Sequence, residues 1–301
     1  MSGIVRVIVL NYNRADLTSR CVNSVLAQQV PDCQVVVVDN NSSAVDFYHL
    51  TASLPQSVYV VRNAENGGYA AGNNQGIGRL PGMPDADFYL VLNNDVALTH
   101  PGTIARLRDA LLADTGAIAV SPLVHTLSNA VPVREQIQVR RLLLPGWYVL
   151  CQSAVLRRLP GIRRTYNRFI YRDLVPYSNQ VYPVDTISGS AFMIRSDYFD
   201  RQNGFDTGTF LYEEELILGE QIRRTGHHCL LHGDLIVPHE QGATTGQRPG
   251  RVNYRMIRYQ LNSLVYFLKV YHQVPAWALG LVRALRWSEF AGKWLLYGLR
   301  R

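Results

Sequence analysis

Apolar residues in the first hundred positions come in short runs, each ending abruptly in a polar cluster. Ile4–Leu10, broken only by Arg6, gives way to Asn11-Tyr12-Asn13-Arg14. Gln34–Val38 runs into Asp39-Asn40-Asn41-Ser42-Ser43, and Val58–Val61 into a segment from Arg62 to Gly68. Phe88–Leu92 is apolar throughout and ends in Asn93-Asn94-Asp95. Apolar runs without alternation are what strands buried on both faces require. Between them, Asp16–Gln28 has the spacing of an amphipathic helix, and a second helix is expected from about Tyr69 to Gly78. Strands alternating with helices of this length predict a doubly wound α/β sheet. Right-handed crossovers then bring the strand ends to one edge, where such sheets bind ligands. Asp39, Asn66 and Asp95 should converge there. A lone acid at a strand end is ordinarily a turn or cap residue. Polar clusters recurring at corresponding places are what give Asp95 a site.

The glycines between Gly67 and Gly76 do not have dinucleotide-fingerprint spacing, and no Gly-rich turn follows the first strand. Gly67 and Gly68 are expected to let the backbone approach a ligand or to take positive φ before the helix. Gly72 and Gly76, four apart, are placed to pack a helix closely on the sheet.

Several segments together resemble family 2 of the inverting glycosyltransferases, which have the GT-A fold. They are Val9-Leu-Asn-Tyr-Asn13, Val36-Val-Val-Asp-Asn-Asn-Ser42, the stretch from Asn63 to Asn74 and Leu92-Asn-Asn-Asp-Val96. Downstream, Ile187-Ser-Gly-Ser-Ala-Phe-Met-Ile194, Gly204-Phe-Asp206, Phe210-Leu-Tyr-Glu-Glu-Glu215, Arg223-Arg-Thr-Gly226 and Val237-Pro-His239 keep the family's order. The resemblance spans roughly Ile4 to Gly246. It implies a Rossmann-like, doubly wound mixed sheet with a C-terminal helical extension. The GT-A catalytic domain would occupy 1–250, with a nucleotide-binding half to about 125 and an acceptor-side half from about 126. The extension would be 251–301.

The resemblance also assigns roles. Asp39 takes the place of the acid that reads the donor's pyrimidine base, with Asn11, Asn13, Asn66, Gly67, Asn73 and Asn94 as further donor nucleotide contacts. Gly189 and Ser190 fall on the acceptor side. Asn93-Asn94-Asp95 stands where the family has its metal-binding DxD element, and its first acid is replaced by Asn, leaving Asp95 as the anionic ligand. His239 matches a position that supplies a further metal ligand or diphosphate contact. A cation held by one or two carboxylates plus substrate phosphates is Mg²⁺ or Mn²⁺, and imidazole favours Mn²⁺. It would neutralise the departing nucleoside diphosphate.

The acidic run Glu213-Glu214-Glu215 opens a helix expected to continue to Arg224, with Gly226 as its C-cap. Acids in a first turn favour the helix dipole, so capping alone would account for any one of them. Aligned to the family's acidic pair, Glu214 and Glu215 are both candidates for the base that deprotonates the acceptor hydroxyl. Burial and like charges would raise its pKa toward neutrality, as a general base requires.

Charge divides the chain. Of 30 Lys and Arg and 23 Asp and Glu, nine bases and one acid lie between Arg134 and Arg172, and nine bases and one acid between Arg251 and Arg301. The remainder, with 12 bases and 21 acids, is acidic. The last segment also carries Trp277, Trp287 and Trp294 among Leu, Val and Phe, but no run reaches the roughly 18 apolar residues of a spanning helix. Such a segment is expected to lie on an anionic membrane surface; the competing expectation is that its apolar residues pack on the catalytic core. No nucleic-acid motif accompanies the basic patches. Cys21, Cys33, Cys151 and Cys229 have no metal-site spacing, and no signal peptide is visible. They read as reduced thiols of a cytoplasmic protein, peripheral to the inner face of the cell membrane.

The expected activity is transfer of one sugar from a pyrimidine nucleotide donor to a glycan acceptor, lipid-linked, in bacterial surface polysaccharide synthesis. The Asn-Asn-Asp element and the Tyr-Glu-Glu-Glu run resemble rhamnosyltransferases, which implies dTDP-rhamnose as donor, with a UDP-sugar as the other choice. The Gln-x-x-Arg-Trp element of processive relatives is absent, which favours single addition. A homo-oligomer is left open. A nucleotidyltransferase of similar core would need a Gly-rich triphosphate loop near the first strand, and Asn11-Tyr-Asn-Arg14 is not one. A catalytically inactive carbohydrate-binding or scaffold protein is opposed by the intact Asp95 and Glu214-Glu215.

Overall fold

The strands expected from the apolar runs form within a residue or two of their predicted bounds: β1 (Val5–Asn11), β2 (Cys33–Asp39), β3 (Tyr59–Arg62) and β4 (Phe88–Asn93). They are seen in a computed structural model that describes residues 3–126, 138–153, 155–174, 179–240 and 253–298, with side chains as far as 292. Four more strands, β5 (Ala117–Thr126), β6 (Val181–Val184), β7 (Ala191–Arg195) and β8 (His228–His239), complete one sheet in the order β3-β2-β1-β4-β7-β5-β8-β6. β1 to β4 are mutually parallel; β7 runs against both β4 and β5, and β5 is parallel to β8. β5 and β8 therefore point the same way as β1 to β4. Their carboxyl ends, with Thr126 and His239, reach the same edge as Asn11, Asp39 and Asn93. β7 begins at that edge.

Strand side chains alternate between two cores, as a pleated sheet covered on both faces demands. Val5, Val7, Val9, Val35, Val37, Leu90 and Leu92 face one core, with Cys21, Val22 and Val25 of α1 (Ala15–Leu26), Leu50 of α2 (Ala44–Ser53) and Leu107 and Leu111 of α4 (Thr103–Ala113). Ile8, Val36, Val38, Tyr89 and Val91 face the other. That face is covered by α3 (Gly68–Asn74), α7 (Ser196–Arg201) and α8 (Glu214–Arg224).

α3 stops at Asn74, short of the expected Gly78. Gly78 has φ +77°, which ends helical geometry, and a Cβ on Gly76 would stand 2.8 Å from Ile8 Cγ2, so the chain there is pressed on the sheet. Gly72 is tight in the same way, 2.7 Å from Leu10 Cδ1. Both glycines serve packing, although Gly76 lies past the helix end.

The C-terminal segment is not an appendage. α9 (Tyr254–His272) buries Leu261, Leu264, Val265, Phe267 and Leu268 against Leu216 and Ile217 of α8. Tyr148 and Cys151 of α5 (Pro145–Gln152) and Phe169 of α6 (Pro160–Phe169) join the same cluster, as do Leu279 and Val282 of α10 (Ala276–Gly298). α8 is apolar on both sides because it lies between the sheet, through Leu218 and Ile222, and this third core. Packing on the core thus holds for α9 and for one side of α10. The other side of α10 leaves Trp277 72% and Leu281 64% exposed.

Candidate active site

The edge at the ends of β1, β2 and β4 is built on Asn11. Its amide Nδ2 donates to Asp39 Oδ1 (2.9 Å), Ser42 Oγ (3.1 Å) and Asp46 Oδ2 (3.1 Å), and Thr18 Oγ1 donates to its Oδ1 (2.7 Å). Asn94 Nδ2 donates in turn to Thr18 Oγ1 (3.1 Å). Asp39 is fully buried and also receives the Ser42 N–H (3.2 Å), with the Arg62 guanidinium 3.5 Å away. A buried carboxylate needs such partners. Ser43-Ala-Val-Asp46 has the sequence of a capping box, and Ser43 does cap α2. The Asp46 carboxylate instead caps the neighbouring α1, accepting from Ala15 N–H at 3.0 Å.

The predicted donor-site residues therefore divide in two. Asn11, Asp39, Asn73 and Asn94 are buried and form the floor of the edge. Asn13, Asn66 and Gly67 lie nearer solvent. Asn13 Oδ1 accepts from Ser43 N–H, and Asn66 Oδ1 accepts from Asn40 Nδ2 and from the Gly68 N–H. The left-handed glycine is Gly68 (φ +86°), whereas Gly67 has φ −80°. The close approach that Gly68 permits is to protein: a Cβ there would stand 2.1 Å from the Phe210 carbonyl oxygen, which accepts the Tyr69 N–H at 2.9 Å. This contact fastens α3 to the loop that leads into the acidic run.

Asp95 and His239 meet as expected from opposite sides of the edge. A bridge between Val96 and His239, and a hydrogen bond from Glu240 N–H to the Asp95 carbonyl (2.9 Å), align the two segments. His239 Nε2 lies 3.0 Å from Asp95 Oδ1, with both side chains under a tenth exposed. Among the described residues that oxygen nonetheless accepts no hydrogen bond. On the other side, Gln138 Nε2 is 3.5 Å from His239 Nδ1, and Gln138 Oε1 accepts from Ser188 (2.7 Å) and Ser190 (2.8 Å). Gln138 ties the Asp95–His239 pair to the predicted acceptor-side residues.

Glu215 reaches the same place from α8. A Cβ on Gly189 would stand 2.3 Å from Glu215 Oε1, so only glycine leaves room for the carboxyl. The Gly189 carbonyl accepts from Tyr69 Oη at 2.6 Å. Burial raises the Glu215 carboxyl above its usual range, opposed by its own backbone N–H, by the Arg140 charge and by the Gly189 N–H. Burial and the Glu215 charge push Glu214 up to about 8 and Glu213 up to about 7. Three adjacent carboxyls, two of them buried, do not all ionise near neutrality. Glu215 is held by two amides and faces Arg140, so the negative charge belongs there, while Glu214 takes a hydrogen bond from Thr209 Oγ1 at 3.3 Å. Glu213 and Glu214 are buried, and Glu215 is the partly exposed member of the run.

Comparison with known proteins settles the family. Residues 6–199 match the glycosyl transferase family 2 profile. The chain belongs to that family. N-acetylglucosaminyl-diphospho-decaprenol L-rhamnosyltransferase of Mycobacterium tuberculosis, found in two strains, is 25% identical over 257 residues, covering 83% of this chain and 80% of that protein. Among solved structures, GalNAc-T7 with UDP, GalNAc and Mn²⁺ superposes with a TM-score of 0.60 at 16% identity over 89% of this chain, which spans about half (48%) of that one. A mannosyltransferase, PcManGT of Pyrobaculum calidifontis, in complex with GDP-Man and Mn²⁺, gives 0.56 at 15% identity, covering 94% of this chain and 74% of that one. These two show the fold, the GT-A arrangement.

Family membership sets aside the nucleotidyltransferase reading. The donor set suits a divalent cation. Among the described residues Asp95 Oδ1 is a buried carboxylate oxygen without a hydrogen-bond donor, facing an imidazole nitrogen. Among the described residues no group of three or more His, Cys, Asp or Glu could hold a metal, so a cation at this glycosyltransferase site would draw further ligands from the donor's phosphates. Several contributors are illegible in the sequence. Thr18 sits inside a helix, Gln138 and Arg140 belong to no motif, and Tyr69 lies in the Asn63–Asn74 segment without a role of its own in the pattern. Asp46 carried a signal, its capping-box spacing, that points to the wrong helix.

Proposed function

We propose that the protein is an inverting, metal-dependent glycosyltransferase that moves a single sugar from a pyrimidine nucleotide donor to a lipid-linked glycan acceptor. Glu215 is the general base, Asp95 and His239 hold Mg²⁺ or Mn²⁺, and Asp39 meets the base of the nucleotide. The observation that carries the reading is the convergence of Glu215, seated against Gly189, with the Asp95–His239 pair, seated against Gln138 and Ser190, on one sheet edge. An anionic ligand with cation on one side and a raised carboxyl on the other is what an in-line displacement at an anomeric carbon needs.

L-Rhamnose from dTDP-rhamnose is the donor sugar this reading favours, since the mycobacterial relative is named as an L-rhamnosyltransferase acting on a diphospho-decaprenol acceptor. A UDP-sugar is the other choice. The acceptor's lipid places the work at a membrane surface, in bacterial surface polysaccharide synthesis. No described helix is long and apolar enough to cross a membrane, so the proposed attachment is peripheral. The test is a panel of dTDP-, UDP- and GDP-sugars with purified protein and Mn²⁺, scored for slow donor hydrolysis and for transfer to a short diphosphate-linked GlcNAc acceptor. Turnover of a pyrimidine nucleotide sugar that EDTA abolishes and Mn²⁺ restores is the expected result. Turnover confined to GDP-sugars, or undiminished in EDTA, overturns the donor or the metal assignment respectively.

A further inference from the structure

Gln138 is placed to decide which nitrogen of His239 carries the hydrogen of the ring. Nε2 is the nitrogen turned to Asp95, 3.0 Å from Oδ1, and so the one that would ligate a cation. A neutral imidazole has one hydrogen on its two nitrogens, and a ligating nitrogen must be the bare one. Ligation through Nε2 therefore puts the hydrogen on Nδ1, where it needs an acceptor. Gln138 stands beside Nδ1 at 3.5 Å. In the orientation seen, the amide nitrogen faces the ring, while Oε1 accepts from Ser188 Oγ (2.7 Å) and Ser190 Oγ (2.8 Å). An amide N–H turned to Nδ1 makes that nitrogen the acceptor and leaves the hydrogen on Nε2, the tautomer that does not ligate.

The surroundings accept the opposite arrangement equally well. A half-turn of the amide exchanges its oxygen and nitrogen ends and leaves the rest of the side chain in place. Oε1 would then accept from Nδ1–H, and the NH₂ group would donate to the two serine oxygens. Hydroxyls accept as readily as they donate, so Ser188 and Ser190 satisfy the amide either way. Both serines are buried, with their Oγ atoms 3.0 Å apart. The frame around them is fixed: Ser188 N–H donates to Ser121 Oγ of β5 (2.7 Å), and Asn93 N–H at the end of β4 donates to the Ser190 carbonyl (2.9 Å). The segment that carries Gln138 is tied down two residues on, where Arg140 N–H donates to Thr186 Oγ1 (2.7 Å).

We propose that Gln138 is a positioning residue for cation binding: its amide turns to accept from His239 Nδ1–H and so leaves Nε2 for the cation, with Ser188 and Ser190 serving the amide in both orientations. The proposal rests on the reading of His239 as a metal ligand. In this role Gln138 touches neither cation nor substrate and acts through the imidazole.

The test reads Mn²⁺ binding with dTDP present, by electron paramagnetic resonance of the free ion, and Mg²⁺ binding by competition. Gln138→Leu and Gln138→Met keep most of the bulk and remove both ends of the amide; each should weaken Mn²⁺ by on the order of tenfold or more. Mg²⁺ takes imidazole less readily, so it should lose less, and the preference for Mn²⁺ over Mg²⁺ should fall. Added to His239→Ala, Gln138→Leu should cost no further Mn²⁺ affinity, because the amide acts only through the ring. A merely structural role would lower the melting temperature, weaken both ions alike and persist without the imidazole. Wild-type Mn²⁺ affinity in folded Gln138→Leu and Gln138→Met, or full additivity with His239→Ala, overturns the proposal and leaves His239 a ligand. Wild-type Mn²⁺ affinity in His239→Ala instead removes the ligand reading, and the role of Gln138 with it.

Discussion

At the scale of single residues, the site divides into groups that would touch substrate and groups that hold them. Asp95 brings a carboxylate oxygen that has no hydrogen-bond donor among the described residues, so its loss removes an anchor for charge. Asp95→Ala is expected to lower turnover by on the order of 10²-fold or more, because it weakens the cation that stabilises the leaving group. Stopped turnover assays across a Mn²⁺ titration check this, and a variant saturating at wild-type rate would move the metal elsewhere. Glu215→Gln should bind nucleotide and Mn²⁺ yet fail to transfer, since an amide cannot take the acceptor's proton. Wild-type transfer should decline as pH falls through the raised Glu215 value. If Glu214→Gln stops transfer and Glu215→Gln does not, the base is Glu214. The same acids mark stability. They bind protons more tightly folded than unfolded, where glutamate titrates near 4.3, so stability should fall as pH rises from there through about 7–8. Glu213→Gln should flatten part of that decline in urea melts taken from pH 5 to 8.

At the scale of elements, strand runs and their polar ends were legible because a strand buried on both faces leaves little choice of residue. The ends of β1, β2 and β4, and Asp95 with His239, follow from that pattern and the family motifs. What lay beyond reading was which polar ends would be covered. Asp39 is legible as the acid that would read a base, but not its enclosure: the side chains of Asn11 and Arg62 and the backbone N–H of Ser42 reach it from three separate segments and leave it fully buried. Asp39→Ala should weaken UDP or dTDP binding by calorimetry, by about 1–3 kcal/mol, and should also cost stability, since it leaves the Asn11 amide short of a partner. The C-terminal helices were ambiguous for a related reason: apolar residues mixed with arginine serve a core and a membrane alike. Phe267 decides for α9. It is fully buried beside Tyr148, with ring centroids 5.2 Å apart. Phe267→Ala should destabilise the whole protein by about 3–5 kcal/mol in urea unfolding. A loss below about 1 kcal/mol would make α9 peripheral after all. By the same argument, ending the chain near 252 would bare the Leu216 and Ile217 face of α8.

At the scale of the whole molecule, an apolar face that stands open among the described residues is the outer side of α10 with its surroundings. Trp277, Leu281 and Trp287 are exposed there, and Leu281, Ala284, Leu285 and Ser288 line an open groove of about 580 Å³ with Val149 of α5. Leu144, Val155 and Leu159 stand out from the neighbouring α5–α6 region, amid exposed Arg158, Arg163 and Arg164. Indole rings beside aliphatic side chains and guanidinium groups fit the boundary of an anionic leaflet, where rings enter the headgroup layer and each cation contributes about 1 kcal/mol. α10 would then face lipid on one side while its Arg286–Glu289 pair reaches the acidic cluster through Gln152 on the other, bringing a lipid-linked acceptor and the base to one end of the molecule. Changing exposed Trp277 and Trp287 together to Ser should leave folding and donor hydrolysis intact, because surface substitutions away from special features shift stability by about 0.5 kcal/mol or less. The wild type should sediment with vesicles containing phosphatidylglycerol, weakly with phosphatidylcholine alone, and less as salt rises and screens the arginines. The double variant should lose on the order of tenfold in vesicle affinity and in turnover of a lipid-linked acceptor, but not of a short water-soluble one. Sedimentation of the double variant equal to the wild type, or wild-type binding indifferent to anionic lipid, would rule out this face as the membrane contact.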